Sequence, residues 1–250
     1  MANFVCPDAV NQREAFAFAQ APSPSLLTRL RFETRDEHDA VERVLDLMGA
    51  ALTRQMYCRR LAQFYGFYAP LEAALQTRCA LLGSCQGGAL SKLAMLSPRL
   101  NKTPLLQQDL RYLHVAAESL PLCPDLPSLR TPAEVLGCLY VLEGATLGGR
   151  MITQHIQARL GITATTGGSF FVGYADDTAK MWSAMRQMLL SSAVDARTED
   201  ATVASAIATF TCLHDWCELG SCRDAKNTGC GVNDNPVRQT KSQAERNQRA

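Results

Sequence analysis

Apolar side chains recur at steps of three and four residues along most of the chain, which is the spacing of one face of an α-helix. The first such stripe follows Ser23-Pro24-Ser25 and predicts a long helix that ends near Gly49. Its members are Leu27, Leu30, Thr34, His38, Val41, Leu45 and Met48. A second stripe predicts a helix from about residue 53 to 82, and Pro70 inside it should produce a kink.

Helix and loop signals continue through the rest of the chain. Thr131-Pro132-Ala133-Glu134 combines a capping threonine, a first-turn proline and a glutamate that can reach back to the cap, so it predicts a strong helix start. The predicted helices span about 105–119, 132–160, 178–192 (capped by Asp176-Asp177) and 199–219, with loops at Gly87-Gly88 to Pro98, at 121–130 and at 161–174. Because no segment alternates as a strand would, we predict an all-α fold of roughly six helices.

Three regions are expected along the chain. Residues 1–22 have weak periodicity and predict a flexible N-terminus, and residues 23–219 predict one helical domain. Residues 220–250 are rich in Asn, Gln, Lys and Arg and hold almost no large apolar side chain. Such a segment buries too little surface to order itself, so it predicts a disordered tail.

Composition narrows the function classes. The net charge of +1 gives no reason to expect nucleic acid or a membrane surface as a partner. No apolar run reaches the roughly 20 residues of a membrane span, and no signal peptide begins the chain, so a cytoplasmic location is expected. The ten cysteines form no Cys-x-x-Cys pair and predict mostly buried free thiols in a reducing compartment. Cys212, His214 and Cys217 lack an evident fourth ligand, which argues against a structural metal there.

The segment 142–151 carries three glycines within six residues of a predicted helix. Each helical glycine costs about 1 kcal/mol relative to alanine, so the absence of side chains should serve some purpose. Gly144, Gly148 and Gly149 follow each other at steps of four and one and should share a face. Two explanations stay open at this point, namely contact with a large flat ligand or close packing against another helix.

His38 lies in the middle of the first apolar stripe, where a polar ring needs a partner. It is either a core histidine with satisfied hydrogen bonds or an axial ligand to a heme iron in an apolar pocket. The glycine segment favours the second interpretation, because a porphyrin is a flat disc that two helices can enclose. His114, His155 and His214 have no matching pattern and are interpreted as structural or surface residues.

Arginines near the first helix start are candidates for the heme propionates, because a guanidinium binds a carboxylate with two hydrogen bonds. The alternative is a solvated basic face. The candidates are Arg29, Arg31 and Arg35, with Arg186 and Lys180 on a later helix. The sequence contains no dinucleotide-binding fingerprint and no Gly-x-Ser-x-Gly elbow, so electrons for any redox reaction would come from another protein.

At this point the motifs resemble those of heme oxygenases. Residues 30–38 with Glu42 resemble the proximal helix of that family, and residues 57–75 its Tyr-rich second helix. Asp109-Leu110 fits a short Asp-Leu helix, and residues 140–152 resemble the glycine-rich distal helix. The Tyr140-Val-Leu-Glu-Gly start is most similar to the bacterial branch that accompanies bacteriophytochromes. The resemblance covers about residues 24–219.

The resemblance implies a single-domain heme oxygenase-like multihelical bundle, with heme between the first long helix and the kinked distal helix. It implies cleavage of heme to biliverdin, with release of CO and ferrous iron, using O2 and electrons from an external reductase or ferredoxin. A bacteriophytochrome is the implied biliverdin acceptor. The implied site consists of the iron ligand His38, of Arg31, Thr34 and Arg186 around the heme, and of Gly144, Ala145, Gly148 and Gly149 on the distal side.

One distal position departs from the family pattern. Many heme oxygenases carry an aspartate directly after the first distal glycine, where it orders water that delivers protons during oxygen activation. This chain has Ala145 there, and Glu143 should lie on a different helical face. The alternatives to a working enzyme are therefore a catalytically impaired heme- or bilin-binding module and a helical interaction module whose glycines only pack.

Overall fold

Helices dominate the structure, a computed structural model that describes residues 24–83 and 99–224. No strand occurs within these two ranges, which confirms the all-α prediction. The helices are α1 (Leu26–Glu33), α2 (Arg35–Leu45), α3 (Arg54–Gly83), α4 (Lys102–Tyr112), α5 (Pro132–Gly144), α6 (Gly149–Leu160), α7 (Ser169–Val172), α8 (Thr178–Ser192) and α9 (Ala196–Asp224).

The first predicted helix is divided at Thr34 into α1 and α2. The Thr34 hydroxyl donates to the carbonyl oxygen of Leu30 at 2.6 Å, and such a bond to the preceding turn bends a helix. The hydrogen-bond ladder continues through the bend, because the His38 amide donates to the Thr34 carbonyl at 3.0 Å. α2 ends at Leu45 rather than near Gly49, since Asp46 adopts a left-handed conformation with φ of 43°.

The helix predicted from 132 to 160 has the expected start and an interruption in the middle. Thr131 accepts from the Glu134 amide and Glu134 accepts in return, which confirms the capping box. Between α5 and α6 the backbone bonds shorten to i→i+3 spacing, from Thr146 to Glu143, Leu147 to Gly144 and Gly149 to Thr146. The glycine segment therefore forms a tight turn between two helices, and its three glycines do not share one regular face.

Later elements agree with the prediction in part. α8 spans the predicted residues, although the Asp177 side chain makes no capping hydrogen bond. α9 begins at Ala196 and runs to Asp224, beyond its predicted end at residue 219. The proposed flexible residues 1–22, the loop containing Gly87-Gly88 and Pro98, and residues 225–250 of the proposed tail lie outside the described residues.

Helix α9 organises the bundle, since it packs against α5, α2, α1 and α3. Gly137 of α5 is required for this packing, because a side chain there would collide with the backbone of α9 at Thr202 and Ala206. The α5–α6 stretch Pro132–Leu160 is long and apolar enough to cross a membrane. Half of its apolar window is buried in the fold, as in the core helix of a globular protein.

The cysteines behave as the composition predicts. Of the free cysteines in the described ranges, Cys79, Cys123, Cys138 and Cys217 are buried, and Cys58 and Cys212 are half-buried. Burial raises the pKa of each of these thiols, so they remain protonated and pack as small apolar groups.

Candidate functional site

His38 lies one turn after the bend in α2, and its side chain is 52% exposed. Its edge packs on the ring of Phe210 from α9, with ring centroids 5.7 Å apart. The expectation of a buried ring was wrong, and half-exposure also excludes the core-histidine alternative. α2 is separate from α1, and its buried residues are Val41 and Leu45 rather than His38.

Two carboxylates flank the imidazole of His38. Nδ1 is 3.6 Å from an oxygen of Asp39, and Nε2 is 3.7 Å from an oxygen of Glu42. In the described part of the chain, this is the one group of His, Cys and carboxylate side chains that converges as metal ligands would. Cys212, His214 and Cys217 do not form such a group.

His214 on α9 has the same local surroundings as His38. Its Nδ1 is 3.1 Å from Asp215 and its Nε2 is 3.9 Å from Glu218, so the partners again follow at one and four residues. The immediate chemistry of the helix therefore does not distinguish the two histidines. What distinguishes His38 is its greater exposure, 52% against 26% for the side chain of His214.

Thr34 and Tyr140 connect the helix bend to α5. Burial raises the pKa of Tyr140, whereas the side chain of Thr34 and the charge of Arg31 oppose the rise. His38 follows Thr34 by one turn and Gly144 follows Tyr140 by one turn, and each turn rises about 5.4 Å. His38 and Gly144 therefore each lie one helical turn beyond a residue of this Thr34–Tyr140 contact.

The glycines of the turn differ in what surrounds them. A Cβ on Gly144 would meet no atom within 4 Å, and one on Gly148 would meet only Ile152 Cδ1, at 3.8 Å. A Cβ on Gly149 would collide with the carbonyl oxygen of Phe171. Ala145 is exposed. Gly144, Ala145 and Gly148 thus leave free space of the kind that a flat ligand needs, whereas Gly149 permits contact with α7.

Glu143, which directly precedes Gly144, is buried, and we did not predict this from the sequence. It is 3% exposed and forms an ion pair with Arg99 at 2.5 Å, and Arg99 also donates to the carbonyl of Met181 at 3.1 Å. The hydroxyl of Tyr174 donates to the other carboxylate oxygen at 2.7 Å. Burial and then Glu143 raise the pKa of Tyr174, which keeps its hydroxyl protonated. The position of this charged residue inside the apolar run of α5 was the sequence signal that could have indicated a buried ion pair.

Two of the arginines predicted to bind propionates, Arg31 and Arg186, lie on helices that interact with Tyr140. Arg31 is exposed and close enough to Tyr140 to act on its pKa. Arg186 is exposed on α8, one turn after Trp182, whose ring centroid is 5.9 Å from that of Tyr140. Arg31 and Arg186 are therefore exposed cations on α1 and α8, and each of these helices has a residue that interacts with Tyr140.

The other cations are engaged elsewhere. Arg29 is bound to Glu33 and Asp200, each at 2.8 Å, and so links α1 to the start of α9. Arg35 and Lys180 are exposed, and each lies 4.0 Å from an aspartate oxygen, that of Asp39 on the same helix and that of Asp177 just before α8. None of the three has a contact that directs it toward the glycine turn.

Asp109 of α4 holds α7 in place. Its carboxylate accepts from the amide and hydroxyl of Ser169 at 2.8 and 2.7 Å and from the amide of Phe170 at 2.8 Å. Burial raises the pKa of Asp109, although these hydrogen bonds oppose the rise. This buried aspartate is therefore a structural anchor for the segment that contacts Gly149.

The chain is similar in fold to solved heme oxygenases. It superposes with a TM-score of 0.62 on that of Neisseria meningitidis, solved with NO and CO bound, at 19% identity, covering 78% of this chain and 92% of the other. The same TM-score holds for heme oxygenase-1 from Synechocystis, solved in complex with heme, at 17% identity over 82% and 96% of the two chains. A domain of unknown function with this fold from Shewanella denitrificans matches at 0.64, with 16% identity over 85% and 98%.

Curated proteins give no match. A family model is more informative than these distant structural similarities, because it matches the sequence itself. The model described as heme oxygenase matches residues 24–218, which include both the His38 helix and the glycine turn. The chain therefore belongs to the heme oxygenase family of heme-degrading enzymes.

Proposed function

We propose that this protein opens heme to biliverdin and releases CO and ferrous iron, consuming O2 and electrons from a separate reductase or ferredoxin. The observation that carries the proposal is the half-exposed imidazole of His38 together with the open faces of Gly144 and Gly148. Heme, when bound, is both the substrate and the group that supplies the oxygen chemistry. The roles of this chain are to hold the disc, orient it and leave space on one face.

His38 is the proposed axial ligand, since its ring is accessible and two carboxylates stand beside its nitrogens. A carboxylate that accepts from one imidazole nitrogen fixes the ring orientation and strengthens the other nitrogen as a ligand. Glu42 follows His38 by one helical turn and is suited to this task. Arg31 and Arg186 are proposed to bind the propionates at the edge of the disc.

The glycine turn is proposed to shape the opposite face. Side chains are absent or minimal at Gly144, Ala145 and Gly148, and the space beside them would admit a small gas molecule. Such a wall would limit the space open to a small gas molecule on that face of the heme. We propose that this steric restriction selects the ring carbon that is attacked.

A second candidate function is heme or bilin binding with impaired turnover. The observation that favours it is Ala145, which supplies no carboxylate to order water. Glu143 does not replace the missing group, because both of its oxygens are engaged, one by Arg99 and one by Tyr174. Proton delivery in this chain would then depend on water held by backbone groups and hydroxyls of the turn.

A hemin titration followed by reductant and O2 tests the proposal. If the protein is a working enzyme, we expect a Soret band to grow as hemin is added. Reductant and O2 should then remove this band and produce bilin absorbance and CO. A Soret band that persists without bilin would establish the binding module instead. The absence of any Soret change would leave only a helical interaction module, and both of these outcomes reject the proposed reaction.

The biliverdin acceptor and the cellular location are also proposals. A bacteriophytochrome as biliverdin acceptor and a cytoplasmic location rest on the resemblance of the distal motif to the bacterial branch. Co-expression of this protein with a bacteriophytochrome tests the acceptor, because transfer would give a holo-photoreceptor with bilin absorbance. An acceptor that stays colourless while free biliverdin accumulates would contradict it.

A further inference from the structure

Residues 169–174, here called the α7 segment, contact both ends of the glycine turn. At one end, the carbonyl oxygen of Phe171 occupies the place that a Cβ of Gly149 would need. At the other end, the hydroxyl of Tyr174 donates to Glu143 at 2.7 Å. One short segment therefore contacts the penultimate residue of α5 and the first residue of α6, on either side of the turn.

The contact at Glu143 is part of a buried charge network. Arg99 pairs with Glu143, and the ammonium of Lys102 lies 4.3 Å from the centre of the Tyr174 ring. Lys102 is 4% exposed, and within the described ranges its ammonium has no hydrogen-bond partner. Glu72, 3% exposed, accepts from the amides at the start of α4. Arg99 also bonds to α8, so α3, α4, α5, α8 and the α7 segment all contribute to this network.

Contacts with α4 and α3 hold the α7 segment in place. Asp109 accepts three hydrogen bonds from its first two residues. Phe170 and Phe171 pack against Phe64 with ring centroids 5.1 and 5.9 Å apart. The segment can therefore transmit a fixed position to the turn that it contacts.

The turn needs such support because its own backbone specifies little. It is held by i→i+3 bonds, which are poorer than those of an α-helix, and its glycines have the largest backbone freedom of any residue. We propose that Tyr174 and Glu143 are positioning residues that hold Gly144, Ala145 and Gly148 in one arrangement and thereby determine which heme carbon is cleaved. The second part of this inference rests on the proposed function, whereas the first part does not require heme.

Tyr174→Phe is the informative variant, because it removes one hydroxyl while Arg99 stays paired with Glu143. Ser205→Ala is a matched control, since the Ser205 hydroxyl donates to the carbonyl of Glu134 in the first turn of the same helix at 2.7 Å. Both variants delete one hydroxyl that bonds to α5. Only Tyr174→Phe does so beside the glycine turn.

Amide hydrogen exchange of residues 145–149 in the heme-free protein measures the positioning directly. We expect exchange about tenfold faster in Tyr174→Phe than in wild type, because a hydrogen bond to a charged acceptor is lost. Ser205→Ala should leave these amides within about twofold of wild type and accelerate only the start of α5. Equal exchange at 145–149 in the two variants would overturn the positioning role.

The isomer composition of biliverdin then tests the consequence for the reaction. Tyr174→Phe should bind hemin with the wild-type Soret band but give an altered ratio of isomers, and Ser205→Ala should keep the wild-type ratio. Faster exchange with an unchanged ratio would overturn the claim on cleavage position. If wild type itself makes no bilin, the proposed function fails, and the exchange experiment alone decides the positioning role.

Discussion

Replacing Gly149 by alanine should destabilise the protein even without heme. Its new Cβ would overlap the carbonyl oxygen of Phe171, and the backbone there cannot retreat easily because Asp109 holds α7. Overpacking of this kind costs about 1–3 kcal/mol, and the fixed neighbour favours the upper end. Alanine recovers about 1 kcal/mol of helix propensity, which leaves a net loss of about 2 kcal/mol.

Gly148→Ala is the matched comparison, because its Cβ would meet only Ile152 Cδ1 at 3.8 Å and its φ of −75° suits alanine. Its heme-free stability should stay within about 0.5 kcal/mol of wild type. Its affinity for hemin should instead fall roughly tenfold or more, since the methyl group enters the space assigned to the ligand.

Thermal unfolding of the heme-free proteins and Soret titration measure the two effects separately. The loss of about 2 kcal/mol in Gly149→Ala corresponds to a melting temperature lower by about 4–8 °C. A Gly149→Ala protein as stable as wild type would refute the packing argument. A Gly148→Ala protein with unchanged hemin affinity would refute the assignment of the open face.

Four further substitutions, one of them a control, test individual contacts. Arg99→Ala leaves the buried carboxylate of Glu143 unpaired, so urea unfolding should show a loss of about 3–5 kcal/mol; a loss below 1 kcal/mol would contradict the ion pair. Arg31→Ala should weaken hemin binding about tenfold in a Soret titration, and Arg29→Ala, which removes an ion-paired arginine, should not; equal effects would reject the propionate assignment. Although burial raises it, backbone hydrogen bonds hold the pKa of Glu134 below its ordinary 4.5. Its stabilisation is therefore complete above pH 4.5 and lost as the pH falls, and Glu134→Gln should flatten this acid limb of the stability curve.

Local signals in the sequence predicted local structure well. The capping box at Thr131 and Glu134 involves residues three apart, and the structure contains it as predicted. The range of α8 was also predicted correctly, because its apolar positions and boundary residues lie within one segment. The bend at Thr34 was missed, since a threonine hydroxyl can face either its own helix or a neighbour and the choice depends on packing.

The surroundings of the site depended on contacts between distant residues. Glu143 meets Arg99 and Tyr174 across 44 and 31 residues, and no spacing rule connects such positions. The different environments of Gly148 and Gly149 depend on where Phe171 lies, which the sequence does not state. Sequence reasoning could therefore propose His38 and the glycine segment as candidates, but not the α7 segment that contacts the glycine turn.

The most direct test of the heme site compares His38→Ala with His214→Ala. Both histidines are flanked by carboxylates at the next residue and one turn later, so the two variants remove equivalent local chemistry. Absorption and electron paramagnetic resonance spectra of the hemin complexes report the axial ligand. We predict that His38→Ala loses the histidine-ligated signature, that added imidazole restores it, and that His214→Ala matches wild type. A histidine-ligated spectrum in His38→Ala would contradict the account.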